Sequence, residues 1–118
     1  MLVEHYVEAA NHHDVEAVRE LTSEDAIWYL GPYTLTGRDQ VMQPLKFDQG
    51  ANTILIAKNI IVKGDTVDFD LEEKNDVLKV YGITQLHHFP RFIFRDGLIY
   101  RIIVRRPRLN RKNFLKKQ

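Results

Sequence analysis

A chain of 118 residues, 44% of them hydrophobic, can bury one core and leaves no room for a second domain. It has no apolar run long enough to cross a bilayer, and Met1-Leu2-Val3-Glu4 lacks the basic start of a secretory leader, so we expect a soluble cytoplasmic protein. The absence of cysteine excludes disulfides, thiolate nucleophiles and cysteine-held metals, which leaves chemistry to His, carboxylates, Tyr and Arg. The net charge of +1 conceals a split: residues 1–104 carry 10 Lys+Arg against 16 Asp+Glu, whereas 105–118 carry seven basic residues and no acidic one. We divide the chain into a body, 1–105, and a basic tail, 106–118. Such a tail suits an anionic partner in general. The expectation here is a solvated extension or an arm lying on the acidic body, with neither nucleic acid nor a membrane as partner.

In chain order, Val3, Tyr6, Val7 and Ala10 recur at helical spacing over residues 2–12. Asn11-His12-His13 interrupts, Asp14 stands at an N-cap position, and Val15, Val18 and Leu21 mark a second helix. Ser23-Glu24-Asp25 reads as polar loop before an aromatic strand, Ala26 to Leu30, that Gly31-Pro32 turns. Thr36-Gly37 precedes a third helix through Val41, Met42 and Leu45, which Pro44 must shorten or kink. Residues 52–62 form the longest strand candidate. After the turn Lys63-Gly64-Asp65-Thr66, Val67, Phe69 and Leu71 alternate with acidic residues as in a strand buried on one face. Asn75 caps a short lid-like helix that Gly82 ends. Strands 85–95 and 98–105 flank Asp96-Gly97, a hairpin signal, and Pro90 predicts a bulge, a bend or an edge position in the first of them. Helices followed by an antiparallel meander predict an α+β domain.

This order resembles the nuclear-transport-factor-2-like superfamily, especially its SnoaL-like and ketosteroid-isomerase-like small-molecule branches. The resemblance rests on Tyr6-Val7-Glu8-Ala9 with Asp14 to Val18, Ser23 to Trp28, Gly37-Arg38, Glu73 to Ile83 and Phe94 to Ile99, and spans residues 5–104. It implies a cone-shaped roll: a strongly curved antiparallel or mixed sheet with about three N-terminal helices enclosing an apolar pocket, commonly paired sheet to sheet as a homodimer. In the isomerases of this superfamily a carboxylate base, a Tyr and a protonated Asp carry the reaction. Tyr6 matches the Tyr, but the base position falls on Leu30 and the Asp position falls near Pro90. A leucine cannot take a proton, so that mechanism is not expected here.

The candidates for chemistry are therefore His88 as base and Tyr6 as hydrogen-bond donor. Adjacent on a strand, His87 and His88 point to opposite faces. His88 is interior if Phe92 and Phe94 point inward, unless a bulge at Pro90 exchanges the two. Tyr6, Trp28, Leu30, Tyr33, Phe47, Phe92 and Tyr100 are the expected pocket lining, against the plainer alternative that these side chains simply fill the core. The hollow requires Trp28 and Tyr100 to face the same interior. Glu73 and Asp76 flank the lid helix, Asp76 supporting its amino end and Glu73 solvated. His5, His12 and His13 have no acidic partner placed by spacing, so neither a metal nor another cofactor is expected.

Two functions fit these residues. The first is a small-molecule-binding domain, an enzyme of isomerase or cyclase type being one form of it, acting on an apolar or cyclic ligand whose identity the sequence does not give. The second is a non-catalytic module that pairs through Phe89, Ile93, Ile99 and Ile103 on its outer sheet face and offers its tail to an anionic partner.

Overall fold

A computed structural model describes residues 2–105; the basic tail lies outside the described residues. The elements are α1 (Leu2–Asn11), α2 (Val15–Glu20), β1 (Thr22–Tyr29), β2 (Thr34–Thr36), α3 (Arg38–Val41), α4 (Gln43–Gly50), β3 (Ile54–Lys63), β4 (Thr66–Lys74), α5 (Asp76–Val80), β5 (Leu86–Arg95) and β6 (Leu98–Arg105). Six strands make one sheet in the order β2-β1-β6-β5-β4-β3. Every pairing is antiparallel except β1 with β6, so the sheet is mixed and the fold is α+β.

The local chemistry behaves as its residue types dictate. Asp14 accepts from the Ala17 amide to cap α2, and Asn75 accepts from the Leu78 amide to cap α5. Gly82, at φ +71°, lets α5 close with Ile83 N–H donating to the Leu78 carbonyl and its own N–H donating to that of Lys79. The third helix is split: Met42 separates α3 from α4, and Pro44 occupies the first turn of α4, where its missing N–H costs nothing.

One face of the sheet is packed against the helices. Val3, Tyr6 and Ala10 of α1, Val18 of α2, and Val41, Met42 and Leu45 of the split helix meet Val67, Phe69, Phe92, Phe94, Ile99 and Ile102. At its centre Phe92 receives Tyr6 and Phe69 edge-on, both at 5.1 Å between ring centroids. Edge-to-face geometry at this spacing is the favourable one for two quadrupoles.

Curvature comes from irregularities in the ladders. On β3 the register with β4 slips between Lys58 and Ile61, where Asn59 adopts φ +54°. On β6 the register with β5 slips between Ile93↔Arg101 and Phe94↔Ile99, so Tyr100 is the extra residue. Several expectations are corrected here. Pro90 causes no slip: it pairs with Val104 in a central strand, and the same register toward β4 holds on both sides of it. What it leaves is a gap, since the β4 ladder passes from Asp68↔Arg91 to Leu71↔His88 without a bridge between. Because the bulge is at Tyr100, Ile99 pairs with Phe94 and is 1% exposed, in the core rather than on the outer face. Finally, Ser23-Glu24-Asp25 is strand, with Asp25 held by Arg95 at 2.7 Å across the sheet.

Candidate functional site

Alternation along β4 and β5 sorts their side chains. Val67, Phe69, Leu71 and Glu73 share the concave face with Phe92, Pro90 and His88; Asp68, Asp70 and Glu72 share the convex face with Arg91, Phe89 and His87. His88 is thus the interior histidine, as the parity of Phe92 and Phe94 predicts. Its Nε2 lies 2.9 Å from Glu73 Oε1. A carboxylate only accepts, so Nε2 carries the hydrogen, and in the neutral ring Nδ1 carries the free lone pair.

Glu73 is not a solvated rim residue. Its side chain is 19% exposed, and its second oxygen accepts from Asn75 Nδ2 at 2.9 Å. Asn75 is 5% exposed and also caps α5, so the start of that helix, the carboxylate and the imidazole are linked in series. The α5 helix that supports this series buries none of its own residues, and Val80 and Tyr81 stand 82% and 76% exposed.

A second carboxylate was not foreseen. Asp48, at the end of α4, accepts from the Thr53 hydroxyl at 3.1 Å. Its carboxyl is pushed above the usual aspartate range by burial first and then by the negative charge of Glu73; Thr53, His13 and His88 pull the other way. Tyr6 is shifted upward as well, by burial and then by the charges of Asp48 and Glu73, so its phenol stays protonated across the physiological range. Asp48, Glu73, His88 and Tyr6 therefore act on one another electrostatically at one end of the concave face. Nothing in the spacing of Asp48, on a helix broken by proline, pointed to this.

The expected lining divides. Phe92 and Tyr6 are core, 2% and 6% exposed, and fill the space between α1 and the sheet. Trp28 lies in line with Ile102 and, through it, Phe92 on the concave face. Its indole N–H is buried and, among the described residues, has no hydrogen-bond partner. Leu30 is half-buried at the end of β1, its amide donating to the Tyr33 carbonyl at 2.8 Å. Tyr33 and Phe47 are 73% and 57% exposed and enclose nothing. Tyr100 is a correction: displaced by its bulge, it lies on the convex face with Arg95 and Arg101 against its ring at 3.9 and 3.6 Å. Trp28 and Tyr100 thus face opposite sides of the sheet, and the lining expected around both of them does not exist.

Among the described residues no three His, Asp or Glu side chains come together as ligands for a metal ion, and no helix is long and apolar enough to cross a membrane. His5 is exposed on α1, and His12, exposed, and His13, half-buried at φ +56°, lie in the turn between α1 and α2.

No family model and no curated protein matches the chain in sequence. Solved structures do match it. The epoxide hydrolase/cyclase-like enzyme SalBIII, linked to pyran ring formation in the polyether salinomycin, is 19% identical with a TM-score of 0.78, over 87% of this chain and 85% of that one. An LEH-like epoxide hydrolase of M. tuberculosis is 18% identical with a TM-score of 0.72, over 87% and 74%. An NTF2-like protein of unknown function from Cytophaga hutchinsonii is 12% identical with a TM-score of 0.72, over 88% and 85%. At these identities the likeness is one of fold: the chain has the curved-sheet, NTF2-like architecture that the SnoaL-like proteins share.

Proposed function

We propose that the protein binds a small, largely apolar, oxygen-bearing molecule at the polar end of its concave face and performs cofactor-free acid–base chemistry on it. The observation that carries this reading is the Asn75–Glu73–His88 series beside a protonation-prone Asp48. A carboxylate that fixes an imidazole tautomer and is itself fixed by an amide has the form of an oriented general base. Asp48, pushed by its burial to hold a proton, and an imidazole oriented by a carboxylate are the pair such a reaction needs.

The first substrate class to test is a cyclic epoxide, because two of the similar structures carry epoxide chemistry in their names. Asp48 gives its proton to the epoxide oxygen as the C–O bond breaks. Water, or a hydroxyl of the same molecule, attacks the carbon while His88 Nδ1 takes its proton. Solvent then returns the proton from His88 to Asp48, so the balance closes without a co-reactant.

Cyclohexene oxide with gas-chromatographic detection of the diol tests this. Turnover above buffer that falls about 100-fold or more in His88→Ala and in Asp48→Asn, with the folded far-ultraviolet circular dichroism spectrum retained in both, is expected. Undiminished rates in both variants, or no wild-type turnover together with no movement of the His88 ring resonances on adding the epoxide, would overturn it.

We also propose that the protein forms a homodimer through its convex face. Ile27, Tyr29, Phe89, Ile93 and Ile103 make an apolar strip there, flanked by paired charges. Sedimentation should find a dimer that persists at raised salt and is lost in Ile103→Glu; a dimer dissolved by salt would rule out this apolar pairing.

A further inference from the structure

We infer that residues 106–118 of this chain dock into the groove between α1 and the free edge of β3. Among the described residues β3 is the last strand of the sheet, and a bare edge exposes unpaired backbone groups. One rung is closed by a side chain: Asn11 donates from Nδ2 to the Leu55 carbonyl at 2.8 Å and accepts the Leu55 amide on Oδ1 at 2.7 Å. Alternation then turns the N–H and C=O of Ala57, two residues on, to the same side. Ala57 lines a groove of about 430 Å³ with Val7 and Ile60 as its apolar floor and Glu4 and Glu8, one helical turn apart, as its acidic rim. An extended, basic segment with occasional apolar residues is the complement of that groove.

The chain supplies such a segment. Residues 106–118 hold six Lys or Arg and no acidic residue, with Leu109, Phe114 and Leu115 between them. Their starting point is also right. Arg105 pairs with Phe89, the β4–β5 register sets Phe89 opposite Asp70, and Asp70 pairs with Lys58, the neighbour of Ala57. Three strand spacings, about 14 Å, separate β6 from β3 along that row. Thirteen extended residues reach about 43 Å, which covers that distance and the length of the groove. Arg and Lys side chains then meet Glu4 and Glu8, Leu109 or Phe114 covers Val7 and Ile60, and the Ala57 rung gains a partner.

Spin labelling of the full-length chain tests this. Because the protein has no cysteine, Gln118→Cys carries a single label. The amide signals of Val7, Glu8, Ala57 and Ile60 should weaken several-fold, and should recover in the Glu4→Lys/Glu8→Lys double variant or in high salt. Uniform weakening, weakening centred on Tyr29 and Ile103, or no recovery in the double variant overturns the docking. A mixture of isotope-labelled chain without spin label and spin-labelled chain without isotope should show no effect; an effect confined to the mixture would mean that the groove takes the tail of another copy, which overturns the assignment to this chain.

Discussion

The two faces of β4 and β5 put the same residue types to opposite uses. On the convex side Asp70 accepts from Asn59 Nδ2 at 2.6 Å, and three acids have basic partners: Asp68 holds Arg91 at 2.7 Å, Glu72 holds Lys58 at 2.8 Å, and Asp25 of β1 holds Arg95. All three carboxyls are lowered, Asp25 to about 2, with hydrogen bonds to the partner or, for Asp25, first to Ser23 as the leading cause. On the concave side Asp48 is raised by burial, and Glu73 is spent on an imidazole and an amide. The convex acids are satisfied where they stand. The concave ones are held in an arrangement that the fold alone does not need, and this difference separates a surface from a candidate site.

The largest effect that should separate the faces is packing. Phe92→Ala empties the aromatic centre and should cost about 3–5 kcal/mol in urea unfolding, whereas Arg91→Ala, one residue away on the exposed side, should cost about 1 kcal/mol or less. Equal losses would break the comparison. Asn75→Ala comes next: loss of the α5 cap should cost about 1 kcal/mol, and the release of Glu73 should also move the His88 ring resonances, which a purely local cap defect would leave in place.

The smallest effect, and the one that sharpens the contrast most, is the sign of the pH dependence. Asp48 holds its proton more tightly when folded, so its contribution is complete below the ordinary aspartate value of 3.8 and is lost as pH rises through its raised value. Asp25 does the reverse: its contribution is complete above 3.8 and is lost as pH falls through about 2. Asp48→Asn should therefore remove a fall in stability on the alkaline side of 3.8, and Asp25→Asn should remove one on the acid side. Thermal melts across pH 2–7 on both variants check this. Shifts of the same sign would show that the two faces are electrostatically alike.

Much of the frame was legible in the sequence because its signals are local. Asp14 and Asn75 cap helices, Gly82 closes one, Asp96-Gly97 turns a hairpin, and Val67 and Phe69 alternate with acids, each within a few residues. The position of Tyr100 was not legible, since no residue type announces which member of a strand will bulge. That one misplacement put Ile99 outside and Tyr100 inside. Ser23-Glu24-Asp25 looked like loop because its partner, Arg95, lies 70 residues downstream of Asp25. The site divided along the same line. His88 followed from strand parity, while Asp48 and the support of Glu73 depend on how a proline-broken helix settles against the end of the sheet.

Tyr100 has one more implication. It is a spare rung toward β5: β6 covers the span with one residue more than β5, whereas β1 on its other side takes five steps, Thr22 to Ile27, against two from Ile99 to Arg101. Deleting it would leave Ile99, Arg101 and Ile102 opposite the β5 neighbours they already have, yet would take the local kink out of the strand. The bend of this sheet is thus recorded as an arithmetic surplus between adjacent strands, so a chain shortened there could keep its β5–β6 contacts while losing its shape.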